Sequence, residues 1–245
     1  LEAKTNAHKA TSGEVLNIDI EAINRLNADI KLVAIQGKGI SIDTTTELAL
    51  INNEIFKWTK ASIIPENTAL TAPYWLTKKG SLGLYNVEDQ AIIGNPETQR
   101  TLKVVFKLNI NGVNIDYEKE IVNKFNSPEN GETFRPLEIV PRLTVKVKEP
   151  VYIFNSNEPR EVVLTVHAWA KDQNGELSIP LPKGWKSNPE NISFTIVQKG
   201  ESKDFTFSIT PPSKGQEIYI HPEIKSNNVV FTNQIIDIDY DHIPF

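Results

Sequence analysis

Four histidines are the side chains of this sequence best suited to metal binding or acid–base catalysis, and they are far apart. Zinc sites commonly use histidines separated by two to four positions, or cysteine thiolates. No histidine here has another within four positions, and the chain has no cysteine. The sequence therefore predicts no metal and no cofactor. The histidines are His8, His167, His221 and His242.

Carboxylates are a second source of chemistry. Asp237, Asp239 and Asp241 alternate along a predicted final strand, so their side chains would share one face. They could bind Ca²⁺, although calcium sites usually take oxygen ligands from several loops; the alternative is a solvated strand face. The sequence also lacks a G-x-S-x-G motif, a P-loop and a dinucleotide-binding glycine motif. It therefore predicts no catalytic residue.

Three aromatic residues lie in an irregular stretch, residues 62–100. Such a long connection is typical of a packed insertion or a functional loop. Tyr74, Trp75 and Tyr85 could form an aromatic platform that stacks on a sugar ring. The other interpretation is that Tyr74 and Trp75 plug a β-sandwich and fix the loop. Because tryptophan is mostly buried in proteins, the sequence favours the plug.

The elements that would hold these residues are mainly β-strands, because apolar residues recur with a period of two. The clearest segment spans 102–122, where two alternating runs flank Asn111-Gly112. Asn-Gly between such runs predicts a hairpin with a two-residue type I′ turn. The predicted cross-strand pairs are Ile110–Val113, Leu108–Ile115 and Phe106–Tyr117 on one face, and Lys107–Asp116 and Lys103–Glu120 on the other.

One more hairpin and one short helix are predicted. The hairpin joins 192–197 to 205–209 through a turn at 199–202, and the helix covers 46–58, where Leu48, Ile51 and Ile55 fall at helical spacing. Many short strands separated by turns are typical of a sandwich or barrel. The other predicted strands are 15–20, 30–35, 143–148, 151–154, 161–170, 176–179, 217–220 and 234–240.

Composition describes a globular protein of about two domains. The chain has 245 residues, of which 39% are hydrophobic and 23% charged, too apolar for a disordered chain. The net charge of -5, without a block of Lys or Arg, disfavours nucleic acid as a partner. The sequence contains no run of 18 apolar residues, so it predicts no membrane span.

We predict two domains, residues 1–141 and residues 142–245. The chain begins with Leu1 and not with Met, which suggests a processed product or a fragment.

A series of motifs in the first half carries a family resemblance. They are Thr71-Ala72-Pro73-Tyr74-Trp75-Leu76, Asp89-Gln90, Ile93-Gly94-Asn95-Pro96-Glu97, Gly131-Glu132 and Arg135-Pro136-Leu137-Glu138-Ile139-Val140-Pro141. Their order resembles the region that follows the catalytic domain in long PIG-L/LmbE-family deacetylases of Bacteroidetes-type bacteria. The start of the chain resembles the exit from that catalytic domain, and residues 238–244 resemble the junction to a further domain.

The second half has its own resemblance. Residues 162–169, the motif Leu181-Pro182-Lys183-Gly184-Trp185 and the strands around Phe194 and 205–209 resemble the NPCBM-associated (alpha-galactosidase-type) sandwich domain found beside glycoside hydrolases. In that family a Pro-x-Gly-Trp corner closes an immunoglobulin-like sandwich, which implies that Trp185 is structural. The expected fold is all-β, with two immunoglobulin-like β-sandwich domains in tandem and a long irregular insertion in the first.

The resemblance also implies a function. PIG-L-type enzymes use zinc to hydrolyse an N-acetyl group from an aminosugar, at a Pro-His-Pro-Asp-Asp motif plus a distant histidine. The nearest match here, His221-Pro222-Glu223, lacks the Asp pair and the preceding proline. The resemblance thus implies a non-catalytic accessory region, periplasmic or secreted, whose partners are other domains of the same parent chain. The alternatives are a carbohydrate-binding module that uses Tyr74, Trp75 and Tyr85, and an independent enzyme, which the missing motifs disfavour.

Overall fold

The structure is a computed structural model that describes residues 1–237, which form nineteen β-strands and two single 3₁₀ turns. Half of the chain is strand and 3% is helix, so the prediction of an all-β, sandwich-like fold is confirmed. Within the described residues no helix is long and apolar enough to cross a membrane. Backbone contacts divide the chain into two compact units, residues 1–140 and a unit that begins at Pro141.

The first unit consists of two larger sheets and one small sheet. Its strands are β1 (Glu2–Thr5), β2 (Lys9–Ala10), β3 (Val15–Ile23), β4 (Ile30–Lys38), β5 (Asp43–Ala49), β6 (Ile55–Ile63), β7 (Lys103–Ile110), β8 (Val113–Glu120), β9 (Val122–Ser127), β10 (Gly131–Pro136) and β11 (Glu138–Ile139). The strand orders are β10-β9-β1-β3-β6 and β5-β4-β7-β8, and β2 pairs with β11. The 3₁₀ turns, Tyr74–Leu76 and Gln90–Ile92, lie between β6 and β7.

The core of the first unit is mainly aliphatic and draws on both larger sheets. Strand β3 alternates buried and more exposed positions along its length, as expected of a strand with one face toward a core. Phe106 is its one fully buried aromatic side chain among the described residues, and Trp58 packs against the cluster from β6. Other large buried side chains include Leu16, Ile18, Ile20, Leu32, Ile35, Ile64, Ile121 and Ile139.

The hairpin of β7 and β8 has the predicted register, with Ile110 opposite Val113 and every other predicted pair in place. Both turn residues, Asn111 and Gly112, have positive φ, as a type I′ turn requires. One detail differs: Lys103 stands opposite Glu120 but its ammonium group lies 3.4 Å from the diagonal Glu118. Because β8 is an edge strand, its apolar side chains stay exposed, whereas Val104, Phe106 and Leu108 of β7 are buried.

The second unit contains two four-stranded sheets with one core between them. Its strands are β12 (Leu143–Val147), β13 (Arg160–Ala168), β14 (Gln173–Ser178), β15 (Lys186–Asn188), β16 (Asn191–Ile196), β17 (Ser202–Thr210), β18 (Glu223–Ser226) and β19 (Val229–Phe231). The strand orders are β12-β13-β17-β15 and β16-β14-β18-β19. This core is richer in aromatic rings, with Phe194 and Phe207 buried and Phe205 and Trp185 packed against it.

The two units repeat one strand arrangement. Each arrangement has seven strands, which are β1 and β3 to β8 in the first unit, and β12 to β14 and β16 to β19 in the second. Counted in chain order, the first, second and fifth of these seven strands form one sheet: β1-β3-β6 and β12-β13-β17. The fourth, third, sixth and seventh form the other: β5-β4-β7-β8 and β16-β14-β18-β19. The first unit adds β9 and β10 at one edge, and the second adds the short β15. No sequence repeat accompanies this structural repeat.

Five local predictions are wrong in whole or in part. The predicted helix at 46–58 is instead parts of β5 and β6, because both segments pair with neighbouring strands and threonines at 44–46 favour strand. The predicted second hairpin does not form: β16 pairs with β14 and β17 with β13, so the turn between them crosses from one sheet to the other. Segments 151–154 and 217–220 are irregular, and prolines flank both. The predicted strand 234–240 is irregular at residues 234–237, and its remaining residues lie outside the described residues.

One row of ion pairs crosses all five strands of the sheet that contains β1. Lys4 on β1 contacts Glu2 on the same strand and Glu21 on β3, and Lys57 on β6 reaches Glu21. Lys124 on β9 contacts Glu2 and Glu132, the latter on β10. Hydrogen bonds from Lys4 and Lys57 hold the pKa of Glu21 below its usual value. Partial burial raises the pKa of Glu2, but Lys124 and Lys4 outweigh it and the pKa is lowered.

Candidate functional site

The segment between β6 and β7, residues 65–101, carries the predicted sugar-contact residues and has an unusual burial pattern. Ile64 and Leu102 at its two ends are buried in the core, whereas none of residues 65–101 is buried. Turns and polar contacts therefore hold this segment in place. We refer to residues 65–101 as the long segment.

Strand β11 anchors the long segment at two points. Thr71 bonds to Ile139 three times: its amide donates to the Ile139 carbonyl at 2.9 Å, and its hydroxyl accepts from the Ile139 amide at 2.9 Å and donates to the carbonyl at 3.3 Å. Arg100 makes a two-pronged ion pair with Glu138, at 2.8 and 3.0 Å. Such paired geometry is the stronger form of an arginine–carboxylate contact.

Tyr74 is fixed within the long segment. Its amide donates to the Thr98 hydroxyl at 2.9 Å, and its phenol donates to the Asn95 carbonyl and accepts from the Gly94 amide, both at 3.2 Å. The ring also meets Trp75 edge-on, with centroids 4.8 Å apart. These contacts make Tyr74 a support for its neighbour and leave its phenol little capacity for a ligand.

The three predicted residues line one open depression. Tyr74, Trp75 and Tyr85 share it with Val87, Gln90 and Ile93, and its volume is about 380 Å³. Tyr85 is 69% exposed and Trp75 is half-buried. Aromatic rings and an amide side chain are the groups that stack on a sugar ring and bond to its hydroxyls.

The expectation that Trp75 plugs the first core is wrong. Among the described residues, the tryptophan that packs against this core is Trp58 on β6, and Trp75 does not contribute to it. The reason is local: β6 ends at Ile63, and the chain then leaves the sandwich, so residue 75 lies on the outside. Average burial of tryptophan could not reveal this.

No sequence pattern points to Val87, Gln90 and Ile93, which line the same depression. The second 3₁₀ turn brings them together, with the Asp89 carboxylate accepting from the Ala91 amide at 2.9 Å as its cap. No periodicity links these positions. The available signal was Asp89 itself, since aspartate commonly caps the start of such turns.

A larger groove of about 1150 Å³ lies in the second unit. Tyr152, Phe154, Trp185 and Tyr219 are among the residues that line it. Trp185 follows a turn closed by its amide to the Pro182 carbonyl at 3.2 Å, with Gly184 at a φ of +97°. Its ring meets Phe154 edge-on at 5.3 Å and packs against the core, in agreement with the structural role that the resemblance implies.

The residues considered for metal or acid–base chemistry are dispersed. His167 lies on β13, where its Nδ1 is 2.6 Å from the Ser202 hydroxyl and its ring is 4.1 Å from Trp169, which are the contacts of a structural sheet residue. His8 and His221 lie in different units. In residues 1–237 no group of three His, Asp or Glu side chains could hold a metal ion. His242, Asp239 and Asp241 lie outside the described residues.

No family model matches this chain, and no curated protein is found to be similar to it.

Proposed function

We propose that the chain is a non-catalytic accessory region of a larger PIG-L-like N-acetylglucosaminyl deacetylase, in a periplasmic or secreted protein. The motifs at 71–76, 93–97 and 135–141 support the family. The observation that carries the accessory role is that the nearest match to the deacetylase motif, His221-Pro222-Glu223, lacks both the Asp pair and the preceding proline. Its partners would be the other domains of the parent chain.

The proposal includes two tandem immunoglobulin-like domains, 1–141 and 142–245. The repeated strand arrangement supports it, because one sheet of each unit has the A-B-E order and the other the C′-C-F-G order of immunoglobulin-like sandwiches. The turn before Trp185 supports an NPCBM-associated-type second domain. Since a fold does not by itself give a function, the deacetylase assignment depends on the resemblance.

The complete reading frame of the parent protein tests this proposal. We expect it to encode a Pro-His-Pro-Asp-Asp motif before Leu1, and the complete protein to release acetate from N-acetylglucosamine oligomers in a zinc-dependent reaction. The chain 1–245 alone should bind no stoichiometric zinc and release no acetate. A parent without the motif, or zinc-dependent acetate release by 1–245, would refute the accessory role.

A second candidate function is carbohydrate binding, favoured by the depression that Trp75 and Tyr85 line. In this reading Trp75 stacks on the sugar, Tyr74 positions Trp75, and Gln90 bonds to a hydroxyl group. Titration of the chain with N-acetylglucosamine oligomers, followed by isothermal titration calorimetry, tests it. Trp75→Ala should weaken binding at least about tenfold, the effect of losing a stacking contact of roughly 1.4 kcal/mol.

Trp58→Phe is the matched control, because Trp58 packs against the core of the same unit and is not one of the residues that line the depression. It should leave sugar affinity unchanged. Trp75→Ala should also leave the melting temperature close to that of the unsubstituted chain 1–245, since Trp75 contributes nothing to the core. If the unsubstituted chain 1–245 and Trp75→Ala bound N-acetylglucosamine oligomers with equal affinity, this platform would be ruled out.

A further inference from the structure

Two buried hydrogen-bond donors belong to residues that line the groove of the second unit, and both lack a partner. They are the Trp185 indole N–H and the Tyr152 hydroxyl, neither of which bonds to an acceptor in residues 1–237. Buried polar atoms in proteins are nearly always hydrogen-bonded, and leaving one unpaired costs stability. The groove therefore holds two donors that the chain itself does not use.

These two donors define what a ligand of the groove must offer. An indole N–H can only donate, and a phenol hydroxyl can donate as well as accept, so Trp185 and Tyr152 both suit a ligand with acceptor oxygens. The ring of Phe154 meets Trp185 edge-on, and Tyr219, which is 79% exposed, lines the same groove. The ligand should thus combine acceptor oxygens with apolar groups that pack on aromatic rings.

We propose that this groove binds a proline-rich peptide in the polyproline II conformation. Such a peptide has no internal hydrogen bonds, so its carbonyl oxygens are available as acceptors, whereas its prolines have no N–H to donate. Aromatic-lined grooves are the usual receptors of proline-rich segments, and the preformed helix binds with little loss of conformational entropy. The proposal goes beyond the accessory role and does not depend on it.

The wall of the groove already accommodates a proline of this chain. Pro212 lies beside Gly184, where an added Cβ would be 3.2 Å from the Pro212 Cβ, so a pyrrolidine ring sits next to the turn that leads to Trp185. Both donor atoms are covered, and a ligand reaches them only when this wall shifts. Residues 211–222 supply much of the wall, and no backbone hydrogen bond joins them to the other described residues. The shift therefore breaks no backbone hydrogen bond.

The charges of the groove disfavour a polyanion. Nucleic acids and anionic lipid surfaces are bound by clusters of basic side chains, and here both signs are mixed. Sugar hydroxyls also accept hydrogen bonds, so a sugar is the alternative that the experiment has to separate. The charged residues of the lining are Lys146, Lys148, Lys214, Glu149 and Glu217.

Isothermal titration calorimetry of the chain 1–245 with a polyproline peptide of about ten residues tests the proposal. We expect Tyr152→Phe to weaken binding at least about fivefold, because it removes one hydrogen bond to the peptide and keeps the ring. The same variant should not lower the melting temperature, since the hydroxyl has no partner to lose in the chain alone. Trp185→Phe should weaken binding as well, because it removes the indole donor.

Tyr117→Phe is the matched control, since Tyr117 lies on β8 of the first unit and also carries a phenol, and it should leave peptide affinity unchanged. A glycine–serine peptide of the same length should bind at least about tenfold more weakly, because it is not preformed. Failure of polyproline to bind, or equal affinity in Tyr152→Phe, would overturn the proposal. So would binding of N-acetylglucosamine oligomers that Tyr152→Phe weakens and polyproline does not displace, which would assign the groove to sugar.

Discussion

The two units build the same strand arrangement, and they differ most in one connection. The segment that follows β6 runs from 64 to 102, whereas the equivalent segment after β17 runs from 211 to 222. In the first unit this connection leaves the sandwich and exposes aliphatic and aromatic side chains. In the second it lies along the groove lined by Tyr152, Phe154 and Trp185, rings that pack against or beside the core. The same strand arrangement thus has a long connection that leaves the sandwich in the first unit and a short connection beside the core in the second.

The cores follow the same contrast. The first is aliphatic with Phe106 as its buried ring, and the second combines several phenylalanines with Trp185. Trp75 lies in the long segment, so the first unit has a tryptophan that does not pack against its core. The comparison indicates that sugar-binding chemistry is to be sought in the first unit, and it can be tested by perturbing the two units in parallel.

The largest effects should come from the two cores. Phe106→Ala and Phe207→Ala each remove a fully buried ring and should lower stability by about 3–5 kcal/mol. If the units fold independently, calorimetry shows two transitions and each variant lowers one of them. A single transition that both variants shift equally would mean that the chain unfolds as one cooperative unit.

An intermediate effect should come from exchanging the two equivalent hairpin turns. Asn111-Gly112 joins β7 to β8, and Asn227-Asn228 joins β18 to β19, all four at positive φ. Glycine tolerates the second position better than asparagine. Gly112→Asn should therefore destabilise the first unit, and Asn228→Gly should stabilise the second, each by roughly 0.5–1 kcal/mol. Changes of the same sign in both units, measured by thermal melting, would contradict a common turn type.

The smallest effect should be a difference in acid sensitivity. The pKa values of Glu2 and Glu21 are lowered in the folded first unit, so their stabilisation is present at neutral pH and is lost as pH falls below about 4.3 toward the folded values. In the second unit, hydrogen bonds from Thr165 and Lys148 lower the pKa of the exposed Asp204.

Lowering the pH from 7 to 3 should accordingly reduce the first unit's melting temperature more than the second's. Glu21→Gln should flatten the acid dependence of the first unit, and Asp204→Asn serves as the control that affects only the second. An acid dependence of the first unit that is unchanged in Glu21→Gln would show that this ion-pair row does not stabilise it.

Sequence predicted local pairing well where turn chemistry and alternation agree. Asn111-Gly112 and the flanking runs specify the full register of β7 and β8, because one residue of slip would turn every apolar side chain to the other face. The choice of partner strand was not predictable. Residues 192–196 and 205–209 alternate as a hairpin would, yet both face one core from opposite sheets, and alternation looks the same in both arrangements.

The candidate site was predictable in part for a similar reason. The sequence points to Tyr74, Trp75 and Tyr85 because they share one irregular stretch, and these three side chains line one depression. Whether Trp75 packs against the core depends on where β6 ends and the chain leaves the sandwich. The residues around Trp75 carry no pattern from which that point could be predicted. Composition alone also could not distinguish Trp58, which packs on the core, from Trp75, which does not.

The parallel pairing at the two ends of the first unit has a consequence for its synthesis. Lys4 and Thr5 on β1 pair with Val122 and Asn123 on β9, and Lys9 and Ala10 pair with Glu138 and Ile139 on β11. Within this unit, β1 and β2 are therefore synthesised long before β9 and β11, the strands that pair with them in parallel. Contacts between such distant positions slow folding, and a nascent chain stalled before residue 122 would expose an unpaired edge to aggregation or to chaperones.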